Sequence, residues 1–151
     1  MKKLIILAMF TLLGVVGLNA QTFTLKSAYG GSTDSVTNAG TNYLKTATAV
    51  SGTGGITVQL NITKISGTAA GTAILQGSID GSNWNTISLA SGMVTAGAST
   101  GAANDTFTLT NVTSQNCSWF LVQNQYIYYR VFVTGSGTEL IRLSGTLIQR
   151  K

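Results

Sequence analysis

Ile56, Val58, Leu60 and Ile62 alternate with Thr57, Gln59, Asn61 and Thr63. A period of two puts the four aliphatic side chains on one face of an extended chain and the polar ones on the other, which predicts a half-buried strand. The same rhythm recurs at residues 21–26, with Phe23 and Leu25 on one face, and at 107–112, with Phe107 and Leu109. In residues 126–134, Tyr129, Val131 and Val133 oppose Tyr128, Arg130 and Phe132; in 139–149, Ile141, Leu143 and Leu147 share a face. Residues 42–50, 72–79, 84–89 and 119–123 are further strand candidates. Segment 27–40, rich in Gly, Ser, Thr and Asn, reads as a loop or a loosely held arm. Residues 90–105 read as a long small-residue loop that hides a weak strand near Met93 or carries function. No stretch beyond Gln21 sustains a 3.6-residue apolar rhythm. Eight or nine short strands, with no crossover helix to support parallel pairing, predict an all-β fold: an antiparallel β-sandwich or jelly roll.

The N-terminus breaks this pattern. Lys2 and Lys3 precede an almost wholly apolar run over residues 4–18, and Ala20 offers a small residue before Gln21. A run of about 15 residues is short for a membrane span, so residues 1–20 are expected to be a helical signal peptide of bacterial type. The protein would then be secreted or held at the cell surface, touching a membrane only through that segment before cleavage. Residues 21–151 are expected to form one β-sandwich domain, with 21–40 as an arm carrying an exchangeable strand.

Thr, Ser and Gly supply 52 of the 131 residues after position 20, which suits strands with uncharged outer faces joined by tight turns. In that part seven Lys and Arg face four acids, a net charge of +3, with Arg142, Arg150 and Lys151 all within the last ten positions. Such a basic tail gives little support to a nucleic-acid partner, and none is expected. The chain has no His, no Pro and one Cys. Absent His removes Ser-His-Asp and Cys-His catalysis and His-ligated metals; one Cys removes an internal disulfide. Cys117 reads as a small buried residue. Four scattered acids supply neither a carboxylate pair nor the oxygen-rich cage that calcium needs. Neither an enzyme nor a cofactor is expected. The N-x-S/T sequences at Asn61, Asn104, Asn111 and Asn116 fit chance matches in a Thr- and Ser-rich chain.

Two segments stand out. Residues 75–84 read Leu-Gln-Gly-Ser-Ile-Asp-Gly-Ser-Asn-Trp, a strand running into a hairpin. Asp80 and Gly81 are the structural turn, since Gly tolerates positive φ and Asp satisfies nearby backbone N–H groups. Trp84 reads as a core residue beneath that hairpin, with a sugar platform as the alternative. The second segment is the aromatic stretch from Trp119 to Arg130. Alternation buries some of its rings and exposes others, so Trp119, Tyr126, Tyr128 and Arg130 are the candidate ligand-binding residues, with glycans as partners. Together these segments resemble two groups. Residues 63–68, 71–72, 75–84 and 128–138 are similar to small sandwich proteins of bacterial surfaces and phage virions that carry a GSxDGxNW hairpin and a YYRV…TGSGT strand. The hairpin and the later Tyr-x-Arg strand alone resemble discoidin-like, galactose-binding-like domains. The first resemblance implies a structural role; the second implies a sandwich whose ligand residues do not carry over here.

Edge strands pair with neighbours unless Pro, charge or bulges block them, and this chain is poor in the first two. Thr22, Phe23, Thr24 and Leu25 are therefore the candidate assembly strand, lent to a neighbouring copy. The leading expectation is an exported, non-enzymatic structural or surface-assembly protein, its partners being other copies or other surface or virion proteins. The alternative is a carbohydrate-binding module using exposed aromatics.

Overall fold

The computed structural model describes residues 20–88, 93–95 and 106–150; residues 1–19 of the expected signal peptide, Leu89 and most of the 90–105 loop lie outside these. Among the described residues the fold is all-β. The strands are β1 (Gln21–Thr24), β2 (Thr33–Thr37), β3 (Thr41–Lys45), β4 (Ile56–Ser66), β5 (Gly71–Ser78), β6 (Asn85–Thr86), β7 (Met93–Thr95), β8 (Thr106–Leu109), β9 (Ser114–Leu121), β10 (Tyr128–Gly135) and β11 (Leu140–Gln149). They form two antiparallel sheets. One runs β1-β11-β4-β9-β7, with β2 also on β11; the other runs β3-β10-β5-β6, with β8 also on β5.

The expected sandwich is present, with eleven strands among the described residues instead of eight or nine. Segment 27–40 is not a loop throughout, because β2 lies within it and pairs Thr33–Thr37 with Leu140–Ser144. Strand β7 fulfils the expectation of a strand near Met93. The expected strand at 119–123 begins five residues earlier, and β6 occupies only two positions of 84–89.

The long strands alternate as their sequences dictate. Along β4, Ile56, Val58, Leu60 and Ile62 are buried, and along β10 Tyr129, Val131 and Val133 are buried. Facing each other across the sandwich, these rows and Leu44, Leu75, Trp119, Ile141, Leu143 and Leu147 make one continuous core. Cys117 is buried there, and burial pushes its thiol pKa well up, so it stays protonated and packs as a small apolar group.

Strand β1 lies antiparallel on β11, from Gln21 opposite Gln149 to Thr24 opposite Thr146. Phe23 packs against the core and Leu25 is fully buried, its N–H donating to the Gly145 carbonyl at 2.9 Å. The chain then crosses to the other sheet: Lys26 and Lys45 exchange backbone hydrogen bonds of 2.7 Å. The outer edge of β3 is thereby paired at that point.

Candidate functional site

Antiparallel register puts directly opposed residues on the same face. In the five-stranded sheet, Leu44, Val131 and Leu75 point into the core, so their neighbours point out. One outward row joins Lys45 to Arg130, Arg130 to Gln76 and Gln76 to Thr86. The backbone bridge from Lys45 to Lys26 extends this row by one more cation. The next row joins Tyr43, Phe132 and Ile74, and the one beyond joins Thr41, Thr134 and Thr72. A row of charge and amide thus lies beside a row of rings and a row of hydroxyls.

Arg130 is the centre of this face. Its guanidinium carbon lies 4.5 Å from the Trp84 ring centroid, 5.2 Å from Tyr43 and 5.4 Å from Phe132. These separations are within the range of cation–π attraction. Arg130 Nε–H donates to Gln76 Oε1 at 2.7 Å, and Gln76 Nε2 donates to Thr86 Oγ1 at 3.5 Å. Partial burial lowers the Arg130 pKa, while the Tyr43 hydroxyl acts the other way. A guanidinium nonetheless remains charged throughout the physiological range.

The hairpin delivers Trp84 to this centre. Asp80 Oδ1 accepts from Ser78 Oγ (2.8 Å), Asn83 N (2.8 Å) and Ser82 N (2.9 Å), and Oδ2 accepts from Asn83 Nδ2 (2.7 Å). The backbone N–H groups of Asn83 and Ser82, then the side chains of Asn83 and Ser78, hold the Asp80 carboxyl well below the usual carboxylate range. Gly81 takes a φ of +74°, which a side chain would strain. Asp80 and Gly81 are therefore the turn that the sequence predicts. The turn folds Trp84 back over the outside of the sheet. Trp84 is half-exposed on Arg130, so the reading of it as a core residue is corrected.

The four predicted ligand residues separate into three places. Tyr128 and Arg130 lie half-exposed on the outward face, as the alternation of β10 requires. Trp119 is fully buried in the core and presents no ring to solvent, which corrects its assignment as a contact residue. The physical reason is the early start of β9: Cys117 and Trp119 share its inward phase. Tyr126 meets Tyr129 edge-on, with ring centroids 6.1 Å apart, and lines a cleft of about 440 Å³ with Val50, Gly52, Asn124 and Ile127 at one end of the sandwich. It is not part of the Arg130 face. Tyr43, Lys45, Gln76 and Phe132 are not among the candidates that the sequence offers, and Trp84 enters there only as the alternative to a core role. Phe132 follows from the same alternation as Arg130; the others depend on strand pairing.

No family model matches the sequence, and no curated protein matches it. Solved structures with a similar chain course include carbohydrate-binding modules. A xylan-binding domain of family 22 superposes with a TM-score of 0.44 at 15% identity, covering 91% of this chain and 89% of that one. The family 22 module joined to the catalytic module of xylanase 10B from Clostridium thermocellum gives 0.43 at 9% identity, over 90% of this chain and 25% of that one. The C-terminal family 6 module of a laminarinase from Zobellia galactanivorans gives 0.35 at 12% identity, over 87% and 100%. This chain thus spans about a quarter of the xylanase chain. With TM-scores below 0.5 these likenesses are loose, and a functional reading has to stand on the residues themselves.

Proposed function

We propose that the protein is a non-catalytic carbohydrate-binding domain and that the outward face of the five-stranded sheet holds the sugar. The observation that carries this reading is Arg130, held by Gln76 and set within 4.5–5.4 Å of Trp84, Phe132 and Tyr43 on an exposed sheet face. Sugar rings offer C–H faces to aromatic groups and hydroxyls to amides, hydroxyls and cations. All of these groups are present within three neighbouring rows. The rings are fixed before binding, by register for Tyr43 and Phe132 and by the Asp80 hairpin for Trp84, so little ordering entropy opposes association.

The alternative role, assembly through a lent first strand, asks more of the molecule. Releasing Thr22, Phe23, Thr24 and Leu25 exposes a fully buried leucine, at a cost of about 1.5–3 kcal/mol before any strand bonds are lost. A neighbour would have to return that cost through the same groove. Size-exclusion chromatography with light scattering on the domain from residue 21 onward separates the two roles: a monomer fits the glycan reading, and an ordered polymer fits assembly.

The direct test is affinity electrophoresis of that domain through gels containing a panel of polysaccharides. Retardation by at least one polysaccharide that is abolished by Trp84→Ala and by Arg130→Ala, in variants with unchanged circular dichroism, supports the proposal. Absence of retardation across the panel, or retardation indifferent to both substitutions, refutes it.

A further inference from the structure

Lys26, Lys45 and Arg130 are consecutive members of one cross-strand row, each directly opposite the next. At the spacing of neighbouring strands, the backbone positions of the three cations span about 10 Å. Like charges directly opposed on adjacent strands oppose pairing. Carboxylates can relieve such a row, and among the described residues none does so here. Of its four acids, Asp80 is committed to the hairpin through both oxygens and Asp34 accepts from Ser35 N at 2.8 Å. Glu139 is buried, and neither of its oxygens receives a hydrogen bond from the protein; Asp105 lies outside the described residues. Among the described residues, none of the three cations is paired with an acid.

The orientation of Arg130 points the same way. Its Nε–H is used by Gln76, and the terminal amino groups, the fork that grips a carboxylate or sulfate end-on, have no protein acceptor among the described residues. Three rings lie within cation–π range of the guanidinium, which stays half-exposed on the sheet face. The other outward face differs: its central rows are hydroxyls and amides, with Arg142 at the periphery.

We infer that this face recognises an acidic glycan, with the anionic group of a sugar on the Arg130–Lys45 pair, a sugar ring against Trp84 or Tyr43, and Lys26 receiving the next anion along the chain. The inference rests on the glycan reading and narrows its ligand class. The anion is a uronate carboxylate or a sulfate half-ester, which offer the same oxygen fork to a guanidinium. Nucleic acid is the less favoured polyanion, because the cations occupy one short row.

The test is affinity electrophoresis and isothermal titration calorimetry of the domain from residue 21 onward in 20 mM and 300 mM salt. The probes are polygalacturonate, a sulfated galactan, neutral xylan and neutral β-glucan, with oligothymidylate as the polyanion control. The expected result is binding to polygalacturonate, to the sulfated galactan or to both, the pair of arms telling carboxylate from sulfate. Affinity should exceed that for the neutral chains at least tenfold and fall at 300 mM salt. Lys45→Gln and Arg130→Gln should each weaken it about tenfold, while Arg142→Gln, on the other sheet, should leave it unchanged. Binding confined to neutral glycans overturns this inference and leaves the glycan reading intact; binding to no glycan overturns both. Equal affinity for oligothymidylate, or an effect of Arg142→Gln as large as that of Arg130→Gln, overturns the acidic-glycan assignment.

Discussion

The two outward faces arise from the same alternation and end in different chemistry. On the six-stranded sheet the rows read Ser144–Asn61–Asn116, Thr146–Gln59–Ser118 and Ile148–Thr57–Phe120. On the five-stranded sheet they read Lys26–Lys45–Arg130–Gln76–Thr86 and Tyr43–Phe132–Ile74. The first is mainly a neutral shield of short polar groups over a well-packed core. The second gathers three cations and, with Trp84, three rings around one guanidinium. Burial does not set the difference, since both sheets bury their inner rows equally well. It comes from which residues occupy the free outward positions, and from a register that brings distant ones together.

The two tryptophans offer the sharpest way to break this comparison. Trp119→Ala empties the centre of the core and is expected to cost about 3–5 kcal/mol, lowering the thermal midpoint steeply or preventing folding. Trp84→Ala removes a half-exposed ring and one cation–π contact, so it should cost no more than about 1 kcal/mol while removing glycan binding. Denaturant melts of both variants check this; equal losses would mean that Trp84 is a core residue after all.

Gly77 comes next in size. It lies at an inward position of β5, and a Cβ there would overlap the Tyr126 ring. Gly77→Ala should lower stability by about 1–3 kcal/mol, read by thermal melting, without changing the outward rows. A neutral outcome would show that Tyr126 moves aside freely.

Asp80 has a smaller effect that depends on pH. Its folded-state pKa is depressed from 3.8 by hydrogen bonds, so its contribution to stability is fully present above about pH 4 and is shed as the pH falls through the lower folded value. Asp80→Asn should therefore destabilise at pH 7 and flatten the part of the acid slope below pH 4. Urea melts across that window check it, and an unchanged slope contradicts it. Smallest of all, Gln59→Ala on the neutral face should shift stability by no more than about 0.5 kcal/mol and leave binding untouched.

How far these features could be read from the chain follows from the range of the signals involved. Alternation is local, so β4, the facing of β10 and the inner row of β11 were readable, and so was the Asp80-Gly81 turn. Register is not local. Lys26 and Arg130 are 104 positions apart, and no period along the chain places them in one row. Trp119 was misplaced because the start of β9, Ser114-Gln115-Asn116, lacks the residues that announce a strand, so nothing tied Trp119 to the inward phase of Cys117. Trp84 was misplaced because hairpin chemistry says that the chain reverses and not which side of the sheet the next ring covers. The outward choice of residues was visible throughout, but its meaning depended on which strands are neighbours.

The most direct test of the glycan face uses the two indole N–H resonances as reporters in a 15N-labelled sample. One ring is on the proposed binding face and the other is sealed in the core. Titration with an acidic oligosaccharide should move the Trp84 indole signal and the backbone amides of Tyr43, Lys45, Gln76 and Arg130, leaving the Trp119 indole and the six-stranded sheet in place. Shifts centred on Asn61, Ser118 and Thr146, with Trp84 unmoved, would contradict it.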